Sequence, residues 1–147
     1  DRGLFGSPSD YLSFLNCMLN YGKYDGGQLL KKETVLLMLK DNLPIGIKIP
    51  KIEEFDNGGI IGYTGNHYVG LTNDRWGLAW AIEKDENEIR PVNSVYWAGA
   101  ANSYFTLDVE NKIAIVYFSN YFPFNDKEAY DFYKLYEKEV YTEIMKK

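Results

Sequence analysis

The sequence is short of the side chains that most often make an enzyme. It has one cysteine, Cys17, and one histidine, His67. One cysteine forms no internal disulfide, and no second His or Cys stands at zinc-ligand spacing from His67, so no metal or other cofactor is expected. Nothing activates Cys17 from nearby in sequence, and inside a helical apolar pattern it reads as a small hydrophobe. His67 lies in the polar loop Gly65-Asn66-His67-Tyr68, where a histidine reads as surface rather than as a general base. Glu53-Glu54-Phe55-Asp56 is acidic but lacks the alternating oxygen ligands and glycine turn of a calcium loop, so it reads as a solvated face.

Basic stripes and long apolar runs are missing too. The 16 Lys and Arg against 21 Asp and Glu leave a net charge of −5, which disfavours a nucleic-acid partner. No apolar run approaches the ~18 residues of a membrane span. There is no Asn-x-Ser/Thr sequon, which leans towards a cytoplasmic chain. Serines 7, 9, 13, 94, 103 and 119 stand in no Ser-x-x-Lys or Gly-x-Ser-x-Gly setting, and there is no His-Glu-x-x-His, phosphate loop or dinucleotide fingerprint.

Aromatic residues, by contrast, are abundant: 13 Tyr, 8 Phe and 3 Trp in 147 residues suit one domain with a sizeable core. Ser7-Pro8-Ser9-Asp10 reads as a helix start, with Ser7 the N-cap and Pro8 the first helical residue. Tyr11, Leu12, Phe14, Leu15, Met18 and Leu19 give it a buried face, and Gly22 ends it. Asp25-Gly26-Gly27 is a turn. A poorly capped helix follows near Lys32 to Lys40, with Val35, Leu36, Met38 and Leu39 inward. Asp41 to Arg75 is punctuated by Pro and Gly and carries no clear pattern.

From Trp76 to Lys84 the alternation predicts one strand, with Trp76, Leu78, Trp80 and Ile82 on one face and Gly77, Ala79 and Ala81 on the other. Further strands are predicted from Val95, over Ser103 to Asp108, and over Lys112 to Ser119, the last two joined through Val109-Glu110-Asn111. Ile113 to Phe118 is apolar throughout, as in a central strand covered on both faces. Asp126 caps a last helix running to about Lys146, with Tyr133, Tyr136, Val140 and Ile144 as its buried stripe. The order predicts an α+β fold, with helices packed on an antiparallel β-sheet. The run Tyr96-Trp97-Ala98-Gly99-Ala100-Ala101-Asn102 stands out, because small residues at a strand end let a ligand or another backbone come close.

Several stretches together resemble the C-terminal portion of the serine β-lactamase superfamily: class C β-lactamases, D-alanyl-D-alanine carboxypeptidases, and related esterases and transesterases. Gly3-Leu4-Phe5-Gly6-Ser7-Pro8-Ser9-Asp10-Tyr11 resembles the family's GLFSTAxDY. Tyr21-Gly22-Lys23-Tyr24-Asp25-Gly26-Gly27-Gln28-Leu29-Leu30-Lys31-Lys32-Glu33-Thr34-Val35 resembles its GGxLxGxRLLSPETV. Trp76 to Trp80 resembles GLGW, and Trp97 to Phe105 resembles WGGAAGTYF. The resemblance implies a transpeptidase-like fold of which residues 1–147 are a single partial domain. It also implies a serine hydrolase whose nucleophile (Ser-x-x-Lys) and proton shuttle (Tyr-x-Asn) belong to an N-terminal part absent from this fragment.

Only the third motif of that active site has a counterpart here, Trp97-Ala98-Gly99. By carry-over, Ala100 supplies a backbone N–H to the oxyanion hole, while Trp97, Ala98, Gly99 and Asn102 line the substrate site. Trp97 stands where lactamases carry a cationic lysine, which points to a neutral small ester, or an amide, as substrate. The expected partner is the N-terminal part of the same protein, or a second copy, and the fragment alone is expected to be inactive. A non-catalytic binding or scaffold domain is the alternative.

Overall fold

The computed structural model describes residues 5–47, 74–122, 124 and 126–146; the readings of His67 and of Glu53 to Asp56 lie outside them. Helix α1 (Pro8–Leu19) begins where the sequence predicts. Ser7 Oγ accepts from the Asp10 N–H at 3.2 Å, and Asp10 Oδ2 accepts from the Ser7 N–H at 2.8 Å. This reciprocal capping satisfies two helix-end donors. The bonds to Ser7 hold the Asp10 carboxyl below its usual pKa. The helix stops at Leu19, and Gly22 turns the chain with φ +86, where a Cβ would meet the Leu30 carbonyl oxygen at 2.1 Å. Cys17 is buried among core side chains, as expected of a small hydrophobe.

Strands β1 (Lys23–Tyr24) and β2 (Gly27–Gln28) form a hairpin around Asp25-Gly26. Helix α2 (Lys32–Leu39) follows, and its N-cap Lys31 makes no side-chain capping bond. Val35 is its buried residue; Leu36, expected to point inward, is exposed.

Among the described residues, five antiparallel strands form the main sheet in sequence order: β3 (Arg75–Trp76), β4 (Ala81–Ile82), β5 (Val95–Gly99), β6 (Ser103–Asp108) and β7 (Ile113–Tyr117). The single strand expected over Trp76 to Lys84 is instead a hairpin that pairs Trp76 with Ala81 and Arg75 with Ile82. Its bend is shaped from outside. The Met38 carbonyl at the end of α2 accepts from the Leu78 N–H and from Trp80 Nε1, both at 2.9 Å. Gly77 passes so close that a Cβ would lie 2.1 Å from that carbonyl, and Ala79 takes φ +84. Arg75 braces the 41–47 segment through Asp41 and the carbonyls of Leu43 and Ile47.

The pleat divides two cores. Val95, Phe105 and Leu107 face α1 and α2, with Leu15, Met18 and Val35 above them. Tyr96, Tyr104, Ile113 and Ile115 face α3 (Lys127–Met145). Strand β7, expected at the centre, is the outer strand of the sheet among the described residues. Both faces of the sheet are nonetheless covered, which accounts for its continuous apolar run. Helix α3 buries Tyr130, Tyr133, Glu137 and Tyr141, whereas Tyr136 and Ile144 are exposed. The predicted stripe is right at Tyr133 and at Val140, which packs against the core, and is displaced at Tyr136 and Ile144, in whose stead Glu137 and Tyr141 are buried.

The Asp126 carboxylate caps α3 by accepting from the Ala129 N–H at 3.0 Å. Asp126→Ala is expected to destabilise the fold by ~1 kcal/mol, the usual loss for an N-cap, read as a lowered urea midpoint with unchanged slope. An unchanged midpoint would remove the cap from the account of α3.

Candidate functional site

Strand β5 carries Trp97, Ala98 and Gly99 to its end, and β6 begins at Ser103. The register closes with Gly99 opposite Ser103, leaving a three-residue turn of Ala100, Ala101 and Asn102 beyond the ladder. Asn102 takes φ +54, the left-handed residue that ends such a turn. An asparagine tolerates this conformation better than most residues, and here its side chain helps to fix it. Asn102 is fully buried. Its Nδ2 donates to the Tyr121 carbonyl at 2.9 Å, and its Oδ1 accepts from the Tyr104 hydroxyl at 2.8 Å and the Asp126 N–H at 3.1 Å. The structure thus gives Asn102 a scaffold role on the underside of the turn, tying it to the start of α3.

Of the other four predicted residues, Trp97, Ala98 and Gly99 line one cleft, while Ala100 stands at the tip of the turn and lines none of the clefts described below. Trp97 is half-buried, edge-on to Trp76 with ring centroids 4.7 Å apart. Ala98 and Gly99 are partly exposed, and Ala100 is exposed at the tip. A Cβ built on Gly99 would meet nothing closer than 3.8 Å, at Ser103. Gly99 has no positive φ. Nothing in the described fold therefore requires glycine there, unlike at Gly77 or Gly22.

Two adjoining clefts open beside this strand end. One of about 210 Å³ is lined by Trp97, Ala98 and Gly99 with Tyr11, Phe105 and Phe118 among its walls. The other, of about 1020 Å³, runs between the start of α1 and the end of β7. Asp10 is the one charged residue lining either cleft among the described residues. The serines nearby are occupied structurally. Ser7 caps α1, and Ser103 Oγ bridges to Ser119, donating to its carbonyl at 3.2 Å and accepting from its N–H at 3.1 Å. Among the described residues no serine hydroxyl is bonded to a lysine or histidine, and no cluster of three His, Cys, Asp or Glu is placed to hold a metal.

A second polar assembly escaped the sequence reading. Arg90, 2% exposed, donates to Glu83 at 2.9 Å and to Glu137 at 3.2 Å, and its guanidinium lies 3.7 Å from the centre of the Tyr96 ring. Glu137 also accepts from Thr106 at 2.5 Å and from Lys134, which in turn reaches Glu88 at 2.8 Å. The Tyr96 hydroxyl is bonded to buried Asp74. Burial pushes the Glu83 carboxyl up to about 7, against the opposing pull of Arg90. Glu137 is also penalised by burial, but Arg90 and Lys134 hold its pKa below the usual carboxylate value. Glu83 and Glu137 have no exposed surface, so this network braces β5 from beneath rather than meeting a substrate. Its one sequence signal was Glu137 in helical register with Tyr133 and Tyr141.

Comparison with known proteins supports the family likeness. No family model matches the chain. It is 25% identical to ML-236A carboxylate methylbutanoyltransferase mlcH of Penicillium citrinum over 146 residues, covering 97% of this chain and 34% of that protein. Unliganded simvastatin synthase (LovD) of Aspergillus terreus superposes with a TM-score of 0.70 at 25% identity, over 97% of this chain and 36% of that one. The LovD9 mutant of the same synthase gives a TM-score of 0.76 at 24% identity, over 99% of this chain and 37% of that one. The chain thus spans about a third of the length of the proteins it matches. Its fold is that of the C-terminal portion of the β-lactamase-like fold of these acyltransferases.

Proposed function

We propose that this chain is the C-terminal portion of a β-lactamase-like acyl-transfer enzyme and supplies its third motif and half of its oxyanion hole. Gly99 carries the reading. It is a glycine that the described fold does not need, beside an exposed turn amide and an aromatic-walled cleft. Close approach by something outside the described residues would explain it.

In the chemistry implied, a serine Oγ from the missing part attacks the carbonyl carbon of an ester. The carbonyl π pair moves onto oxygen, which the Ala100 N–H and the N–H of that serine stabilise. The bond to the alkoxy group then breaks, the alcohol leaves with the proton given up by the serine hydroxyl, and the acyl group stays on the serine. An acceptor hydroxyl then attacks the acyl-enzyme, its proton passes to the serine Oγ as the acyl C–Oγ bond breaks, and the new ester leaves. Water in that position would make the reaction hydrolysis. The relatives' descriptions, a methylbutanoyltransferase and a simvastatin synthase, favour an alcohol acceptor over the plain esterase expected from the Trp97 motif. A cleft wall without cations among the described residues suits a neutral ester.

The remaining two thirds of such an enzyme would need a place to dock. The outer edge of β7 and the exposed Phe132, Leu135 and Tyr136 of α3 offer a strand edge and an apolar face. The chain alone is expected to show no turnover of p-nitrophenyl butyrate. A fluorophosphonate probe on the complete enzyme should label a serine outside these 147 residues. Turnover by the chain that vanished on mutating one of its own serines would overturn this division of labour. A complete protein that took no label would favour a binding scaffold.

A further inference from the structure

Asn102 does more than its backbone conformation requires. At φ +54 a glycine would serve with no side chain at all. Asn102 instead buries its carboxamide completely and bonds it to three separate segments. The amide donates to the Tyr121 carbonyl just beyond β7, and it accepts from the Tyr104 hydroxyl of β6 and from the Asp126 N–H at the start of α3. The rest of the turn has little to hold it. Ala100 is exposed and Ala101 half-buried, and neither carries more than a methyl group to pack. The Tyr121 N–H reaches the Ala101 carbonyl at a long 3.4 Å. The bridge between Ser103 and Ser119 keeps the chain leaving β7 beside the turn, as the surface on which the Asn102 amide is anchored.

A backbone donor stabilises a developing oxyanion only if it is aimed before the reaction begins, and a misplacement of about 1 Å can cost ~10²-fold in rate. We propose that Asn102 is the positioning residue for the Ala100 N–H, an inference that rests on the function proposed above. Its buried carboxamide clamps the far end of the turn to β6, to the chain after β7 and to α3, so that the donor at the near end keeps its aim. Asn102 touches no substrate in this account. It acts through Ala100, and it makes the start of α3 part of what sets the rate.

The test is a double-mutant cycle in the complete enzyme, with kcat and KM measured on p-nitrophenyl butyrate. Asn102→Gly keeps a residue suited to the left-handed position and deletes the carboxamide. It should lower kcat by about tenfold and leave KM within about twofold, because an oxyanion donor acts in the transition state rather than on the bound ester. Added to Ala100→Pro, which has no N–H left to position, the same change should cost less than about twofold more. A purely structural role would multiply instead, and another tenfold loss in the double variant would overturn the proposal. Asn102→Gly within about twofold of the parent, with Ala100→Pro slow, would also overturn it and leave the oxyanion reading standing. Ala100→Pro as active as the parent would sink both. If Asn102→Gly fails to fold, Asn102→Asp decides. Its ionised carboxylate sets an oxygen against the Tyr121 carbonyl, whereas the protonated acid donates there as the amide does. The titratable groups acting on its Tyr104 partner are Tyr130, Asp126 and Tyr117, and the tyrosines stay neutral below pH 8. Its kcat relative to the parent should rise by about threefold or more from pH 8 to pH 5, since burial raises a carboxyl's pKa towards that range. A ratio constant with pH would overturn the proposal.

Discussion

Ala100→Pro in the complete enzyme is expected to lower kcat/KM for ester acylation by ~10²- to 10³-fold, the usual loss when one oxyanion donor of ~3 kcal/mol is removed. Proline is the sharpest probe because this backbone suits it. Ala100 is the first residue of the three-residue turn that ends in Asn102 at φ +54. Such a turn is a type I turn followed by a left-handed residue, and proline is favoured at the first central position of a type I turn. The residue before proline is pressed into extended conformation, and Gly99 is already in β5. No ladder bond is lost, because the β5–β6 register closes at Gly99 and Ser103. The substitution thus deletes one N–H and leaves the turn in place. Ala100→Ser keeps the N–H and should retain most of the activity, and both variants should melt within a few degrees of the parent. A proline variant within about threefold of the parent rate would remove Ala100 from the oxyanion hole.

Features governed by neighbours in sequence were the ones legible in it. The capping of α1 by Ser7 and Asp10, the capping of α3 by Asp126 and the span of β6 all follow from residues within one turn or one strand. The site was legible in part. Trp97 to Ala100 could be placed at a strand end from small residues behind an aromatic, and resemblance supplied their proposed chemistry. The failures share one cause, a partner distant in sequence. Trp76 to Ile82 alternates like one strand, but the Met38 carbonyl gathers the Leu78 and Trp80 donors and folds it into a hairpin. The buried face of α3 was misplaced in part because a glutamate lies at its centre, and Glu137 is tolerable there because Arg90 and Thr106 arrive from other segments to join Lys134 in bonding it. Asn102 was expected at the substrate site by carry-over from the family, and its burial was not legible in the sequence for the same reason. Its partners, Tyr121 and Asp126, are brought to it by the return of the chain after β7.

Arg90→Met is expected to be the most destabilising single substitution argued from this fold, at ~3–5 kcal/mol, the cost of leaving buried carboxylates without their cation. Arg90 joins the segment after β4 to α3 through Glu83 and Glu137 and stacks on Tyr96 of β5, so its loss loosens three elements at once. The dependence on pH carries the second half of the prediction. Glu83 has a folded pKa of about 7, raised from 4.5, so between those values the native state holds its proton more tightly than the unfolded chain does. Its contribution to stability therefore falls as pH rises from 4.5 to 7. Glu137 is shifted the other way, and the stability it adds is lost as pH falls through its lowered pKa. Removing Arg90 removes the attraction that opposes burial at both carboxylates, so both pKa values rise and the loss of stability between pH 5 and 8 steepens. Urea melts of the parent and Arg90→Met across that range would show the gap widening with pH. Adding Glu83→Gln to Arg90→Met should restore part of the stability at pH 8 and little at pH 5, where Glu83 is already protonated. A gap below about 1 kcal/mol would place the network among ion pairs that water screens, contrary to its burial. A gap constant with pH would show that Arg90 acts through packing on Tyr96 rather than through charge.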